Sequence, residues 1–126
     1  MTERRRSRVR VARAAKRDIA AIAKWSVREF GVPAAVRYSE LILQGLRDIG
    51  DDPERPGSKE RRDIMVDGAR IYHLSFSRSR AGRPSVKEPR HMLLYRRVGD
   101  VIDVARVLHD AEDLERHLPE GYRRSK

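Results

Sequence analysis

The chain has 126 residues, of which 38% are charged, a formal net charge of +10 and no cysteine. Its length suits a single domain, and the lack of cysteine excludes disulfides, thiolate metal sites and a cysteine nucleophile. No apolar stretch approaches the roughly 18 residues of a membrane span and the basic start has no apolar segment behind it, so we expect a cytoplasmic protein without membrane association.

The first part of the sequence predicts a strand and two helices. Polar and apolar residues alternate over 7–13, as in a short strand. Apolar residues at helical spacing over 16–30, including Phe30, predict a helix that Gly31 ends. Pro33 suits the first turn of a second helix, which ends near residue 50. So short a connection predicts an αα-hairpin.

The middle of the sequence is richer in loops. Prolines, glycines and dense charge over 51–69 favour a loop with room for a short strand, and 71–76 has the residues of a strand. Residues 77–90 form a basic, proline-bearing excursion that is long for a plain connection.

The last part predicts a hairpin and a short helix. Residues 91–97 and 101–109 are strands around a tight turn at Val98-Gly99-Asp100. A short helix follows, with Asp110 as its expected N-cap and two inward-facing leucines, Leu114 and Leu118.

These elements predict an α+β fold. An N-terminal strand and a helical hairpin would pack on one face of a small, twisted, mostly antiparallel sheet, with a short C-terminal helix. We expect one domain over 1–126, with a core at about 8–119, a basic arm at 1–7 and a tail at 120–126.

The net charge is concentrated in three segments. Residues 1–10, 77–90 and 119–126 together hold 13 bases and 3 acids, and the other residues hold 16 of each. Such concentration favours an anionic partner, either nucleic acid or an acidic protein segment, and the alternative is a solvated surface that keeps the chain soluble.

Basic residues in and after the long loop are therefore candidate contacts with a partner. They are Arg78, Arg80, Arg83, Lys87, Arg90, His91, Arg96 and Arg97. Trp25 lies off the apolar stripe of the first helix, so we expect it to be half-exposed at a protein interface.

His109, Asp113 and His117 recur every four residues, as metal ligands on a helix would. Their positions nevertheless drift by about 80° around a helix axis, and His109 stands before the helix begins. We interpret the segment as a strand-to-helix junction, expect no metal or cofactor, and keep His109 as a candidate partner contact.

Arg106 interrupts an apolar face. Strict alternation places it with Ile102, Val104 and Leu108. Such a guanidinium must either pair with a carboxylate, for which Asp110 and Asp113 are the nearby choices, or face a partner.

Four segments in this order carry a family resemblance: ARAAKRDIAAIAKWSVREFGVPAA, GARIYHLSFSRSR, PRHMLLYRR and VIDVARVLHDAEDLERHLP. Over about residues 8–119 the chain resembles the RelE/ParE superfamily of bacterial type II toxins, and more closely its ParE-like branch. The resemblance implies a growth-arresting toxin that binds and inhibits DNA gyrase. It also implies neutralisation by a cognate acidic antitoxin, ParD-like or other, in a toxin–antitoxin hetero-oligomer.

The RelE-like alternative is ribosome-dependent cleavage of messenger RNA. Such enzymes use mostly basic residues and a tyrosine, and the corresponding positions fall here on His73, Ser75, Met92, Asp110 and Arg116. Four of the five lack the expected chemistry, so we expect no catalytic residues. A third alternative is a basic module that contacts nucleic acid directly, although only 6% of residues are aromatic and no stacking pattern is visible.

Overall fold

The computed structural model describes residues 7–110 and 114–125, so most of the predicted basic arm and Asp113 lie outside the described residues. The elements are β1 (Arg8–Val11), α1 (Arg13–Phe30), α2 (Val32–Asp51), β2 (Ser58–Glu60), β3 (Arg70–His73), a 3-10 helix (Leu74–Arg80), β4 (His91–Val98), β5 (Val101–His109), α3 (Leu114–His117) and a 3-10 turn (Glu120–Tyr122).

The five strands form one sheet in the order β1-β5-β4-β3-β2. β1 runs parallel to β5 and the other neighbours are antiparallel, which confirms the predicted α+β fold with a mostly antiparallel sheet. β4 and β5 pair up to Val98 and Val101 around the predicted turn, where Gly99 has a φ of 64°.

The helical hairpin turns at a single glycine. Gly31 has a φ of 86°, a conformation that other residues rarely adopt, and its N–H donates to the carbonyl of Val27. Pro33 stands in the first turn of α2 as predicted, where its missing N–H removes no helical hydrogen bond.

Each face of the sheet carries an apolar core. One core lies beneath the hairpin and contains buried residues of both helices and the sheet, among them Ile22, Leu41 and Leu93. The other core is closed by Leu114 and Leu118, which face inward as predicted. The C-terminal segment completes that second core, which also includes Met65, Leu94, Leu108 and Tyr122.

Two local predictions are wrong in detail. The strand predicted over 71–76 ends at His73, and the chain turns into a 3-10 helix because the His73 ring accepts the N–H of Ser75 and caps it. This turn lets Leu74 and Ser77 both be buried.

The second correction concerns β5. The pairing shifts between Leu94 and Tyr95, which face Arg106 and Val104, so Ala105 is an extra residue in β5. The bulge breaks the alternation that placed Arg106 on the same face as Val104.

Among the described residues, no helix is both long enough and apolar enough to cross a membrane.

Candidate functional site

A groove of about 610 Å³ lies where the end of the helical hairpin meets the 84–90 loop. We call it the Trp25 groove. Its lining residues are Trp25, Ser26, Phe30, Ala34, Arg37, Tyr38, Pro84, Ser85, Val86, Lys87, Glu88 and Arg90.

Two aromatic side chains form one wall of the Trp25 groove. Trp25 is 39% exposed, as predicted, and its ring meets that of Phe30 edge-on with 5.4 Å between centroids. Phe30 falls at the spacing of the apolar stripe of α1, but at the end of the helix its side chain is 64% exposed. Exposed neighbouring aromatics of this kind commonly anchor protein partners.

Tyr38 fixes the loop that forms the opposite wall. Its hydroxyl oxygen accepts the backbone N–H of Arg90 at 2.9 Å and lies 2.6 Å from Nδ1 of His91. Burial raises the pKa of Tyr38 to about 12. Burial, helped by nearby His109, lowers the pKa of His91 to about 4. His91 is therefore neutral at pH 7, and its Nδ1 can accept a hydrogen bond from the hydroxyl of Tyr38, a groove residue.

The rim of the groove is mostly cationic. The lining includes three basic residues, Arg37, Lys87 and Arg90, and one acid, Glu88. Glu88 pairs with Arg90 at 3.1 Å. Of the basic residues predicted to contact a partner, Lys87 and Arg90 thus lie together with Trp25. Arg78 does not line the groove, but its guanidinium donates to the backbone carbonyl of Lys87 at 2.6 Å and so contacts the loop.

The other predicted arginines lie elsewhere. Arg80 donates to the buried Asp48 at 2.5 Å and ties the 3-10 helix to α2. Arg83 and Arg97 are exposed and do not line the groove. Arg96 lies 4.5 Å over the ring of Tyr122 and donates to the carbonyl of Gly121, so it holds the C-terminal segment. These placements concentrate the candidate site at the hairpin end.

A second cleft, of about 650 Å³, opens on the sheet face opposite the hairpin. It contains three of the positions compared with RNA-cleaving relatives, His73, Met92 and Asp110. Nε2 of His73 lies 3.0 Å from the Asp110 carboxylate, and Nδ1 lies 2.8 Å from the hydroxyl of Ser75. Burial opposes ionisation of Asp110, but the hydrogen bond from His73 together with the nearby charges of His73, His109 and Arg90 outweighs this effect and lowers the carboxyl pKa.

The four-residue repeat that begins at His109 does not form a metal site in the described part of the chain. The His109 ring meets His91 edge-on at 5.3 Å, and its Nδ1 lies 3.5 Å from Asp110. Asp113 is outside the described residues, and no group of three potential ligands is found among those that are described.

Arg106 pairs with a residue that sequence reasoning did not consider. Its Nε and Nη2 donate to the two carboxylate oxygens of Asp18 in α1, at 2.7 and 2.9 Å. Asp18 also accepts the backbone N–H of Val107 at 2.9 Å. Asp18 lies 88 positions away in sequence, whereas Asp113, one of the two nearby acids considered from the sequence, lies outside the described residues.

Sequence reasoning also missed Phe30, Arg37 and Tyr38 as groove residues. The available signal was the aromatic directly before the helix-ending glycine, which a helix stripe alone assigns to the core. Arg37 and Tyr38 carry no comparable signal, because their role depends on the loop that folds against them from residues 84–90.

A family model described as the ParE toxin of type II toxin-antitoxin systems, parDE, matches residues 9–114. The chain is also similar to a solved structure described as the chromosomal ParDE TA system from P. aeruginosa, at 16% identity and a TM-score of 0.60. That similarity covers 82% of this chain and 96% of the other, and at this identity it shows the fold. No curated protein sequence matches the chain.

Proposed function

The chain belongs to the ParE toxin family of type II toxin–antitoxin systems, and from that premise we propose that it acts by binding. Its target is DNA gyrase, and a cognate acidic antitoxin neutralises it. The observation that carries the antitoxin part is the Trp25 groove, an apolar trough with a cationic rim.

The chemistry of the Trp25 groove suits an acidic amphipathic segment. An aliphatic or aromatic side chain of the antitoxin would lie against Trp25 and Phe30, where it removes exposed apolar surface from water. Carboxylates beside it would meet Arg37 and Lys87, which raises the association rate and selects acidic partners.

The outer face of the hairpin carries a second apolar surface. Half-exposed aliphatic side chains of α1 and α2 line a shallow depression between the two helices, and the most exposed are Val27, Val32, Val36 and Leu43. An amphipathic helix laid along the depression would bury them together, as helix-in-groove complexes do. Each of the two surfaces supports a partner that binds the hairpin.

The cleft on the opposite face favours binding over RNA cleavage. Cleavage needs groups that stabilise the negative charge developing on the phosphorane. Met92 cannot supply such a group, and the ionised Asp110 carboxylate beside His73 would repel the charge. Lys59 and Arg61 also line the cleft, so only the compared positions Met92 and Asp110 disfavour the messenger RNA alternative.

The activity is tested by inducing the chain alone in a bacterium. We expect growth arrest with a DNA-damage response and intact transcripts, and the purified protein should inhibit supercoiling by gyrase. Cuts phased with codons, seen by primer extension, would instead establish RNA cleavage. Normal growth with intact protein accumulated would contradict the toxin proposal.

The antitoxin surface is tested with a matched pair of aromatic variants. Phe30→Ala should weaken binding of the cognate antitoxin by about 30-fold, because a buried interface anchor contributes about 2 kcal/mol. Phe76→Ala removes a similarly exposed phenyl group, 51% against 64%, that lines the cleft on the opposite face and not the groove, and it should leave the affinity unchanged. Equal losses from the two variants, or none from Phe30→Ala, would contradict the proposed surface.

A further inference from the structure

The exposed face of α1 carries a line of basic residues. The line is not visible when charges are summed over segments of the sequence. Going around the helix at 3.6 residues per turn, four of its bases fall within an arc of about 60°, opposite the buried face. They are Arg13, Arg17, Lys24 and Arg28, and Lys16 flanks them. We call these five residues the α1 ridge.

No side chain of the α1 ridge is neutralised by the described part of the chain. All five are exposed, and none has a hydrogen bond or ion pair with a described residue. The two acids of α1 do not help: Asp18 is turned towards Arg106, and Glu29 lies about 100° around the helix from Arg28. The ridge therefore presents positive charge alone to solvent.

This arrangement is unfavourable for the helix by itself. Like charges repel at the four-residue spacings of Arg13–Arg17 and Lys24–Arg28. Three ridge bases also lie in the first two turns, near the positive end of the helix dipole, where acids would be favourable and the first turn has none. A bound polyanion would relieve both repulsions.

We propose that the α1 ridge binds the phosphate backbone of a nucleic-acid duplex, which goes beyond the toxin function above and stands on the charges of α1. The ridge runs straight for about 22 Å, the rise of 15 residues, and duplex DNA presents about 13 phosphates over such a length. The arc contains no aromatic side chain on which unpaired bases would stack, so it suits a duplex rather than a single strand. An acidic protein offers no comparably regular line of anions.

Salt dependence of binding measures the number of phosphates contacted. With the full chain and a labelled 24-base-pair DNA of mixed sequence, the logarithm of the association constant should fall against that of salt concentration with a slope of about −4.5 if all five bases contact phosphate. Arg17→Gln with Lys24→Gln removes the middle of the ridge. That double variant should lower the steepness by about 1.8 and weaken binding at 100 mM salt by about tenfold or more.

The matched control removes the same two residue types elsewhere. Arg47→Gln with Lys59→Gln changes the net charge equally at exposed positions of α2 and β2, and it should leave slope and affinity unchanged. Glutamine has nearly the helix propensity of the residues it replaces, and circular dichroism and the melting temperature verify that each variant is folded.

Two further probes separate the possible anions. An RNA duplex of the same sequence that binds equally well identifies the shared phosphate chemistry, and weaker binding of RNA assigns the ridge to DNA. Equal loss in both double variants, absence of duplex binding, or equally tight binding of labelled polyglutamate at the same salt would overturn the proposal.

Discussion

Removal of the Asp18 carboxylate should destabilise the protein by about 3 kcal/mol. In the structure this side chain accepts two N–H groups of Arg106 and the N–H of Val107, at 2.7 to 2.9 Å. Breaking a fully buried ion pair costs about 3–5 kcal/mol. Here the side chains of Arg106 and Asp18 are 28% and 16% exposed, so water solvates the remaining charge in part. The expected loss of stability for Asp18→Ala therefore lies near the lower end of that range.

Other variants of Asp18 and Arg106 separate this loss of stability into its contributions. Asp18→Asn retains an oxygen for the Val107 N–H but loses the charge, so we expect about 1.5 kcal/mol, and Arg106→Met should cost a similar amount. In a double-mutant cycle with Asp18→Ala, the coupling energy between the two residues should be about 1–2 kcal/mol.

Urea unfolding of the four proteins of the cycle measures these energies, and thermal unfolding should show Asp18→Ala melting about 10 °C lower. A coupling energy below about 0.3 kcal/mol would refute the reasoning. Arg106 would then contribute nothing through Asp18, and its candidacy as a partner contact would be restored.

Three further predictions concern burial and the C-terminal segment. Because burial lowers the pKa of His91 from 6.5 to about 4, the unfolded chain takes up this proton first. Stability should therefore fall by up to about 3 kcal/mol as the pH drops from 6.5 to 4, measured by urea unfolding at each pH. Tyr38→Phe leaves the Arg90 N–H without its acceptor and should cost about 1–2 kcal/mol, with faster hydrogen exchange at that amide. Tyr122→Ala should cost about 3–4 kcal/mol by chemical denaturation, because the ring is buried and its hydroxyl donates to the carbonyl of Asp103.

Each of the three has its own control. His91→Gln should flatten the stability profile between pH 6.5 and 4, whereas an unchanged slope would assign the effect to other groups. Unaltered exchange of the Arg90 amide in Tyr38→Phe would mean that the hydroxyl does not hold the loop. Tyr122→Phe keeps the ring and should cost only about 1 kcal/mol, so a loss as large as that of the alanine variant would contradict the packing argument.

Local periodicity in the sequence determined most of the architecture. The helical spacing before and after Gly31, the alternation around Gly99 and the inward leucines Leu114 and Leu118 are properties of segments shorter than about 20 residues. Backbone geometry imposes these periods directly, so they can be recognised without knowing what the segment packs against. The four segments that resemble ParE-like toxins added the family, which the match over 9–114 confirms.

The candidate site was only partly predictable. Trp25, Lys87 and Arg90 were among the predicted contacts and do line the groove, whereas Phe30 was recognised only as part of the apolar stripe of the first helix. A helix stripe identifies which side chains share a face, and it does not show which of them a neighbouring element covers. The exposure of Phe30 depends on that second fact.

Tertiary structure alone decided the pairing of charges. From the sequence, Arg106 could either pair with a nearby acid or face a partner. The fold pairs it with Asp18 of α1, and the bulge at Ala105 changes the face on which it emerges. The segments outside the three basic regions looked neutral because they hold 16 bases and 16 acids. Folding places individual acids such as Asp18 and Asp48 against particular arginines and leaves the α1 ridge unneutralised. Electrostatic interaction depends on distance in space, which a count along the chain does not contain.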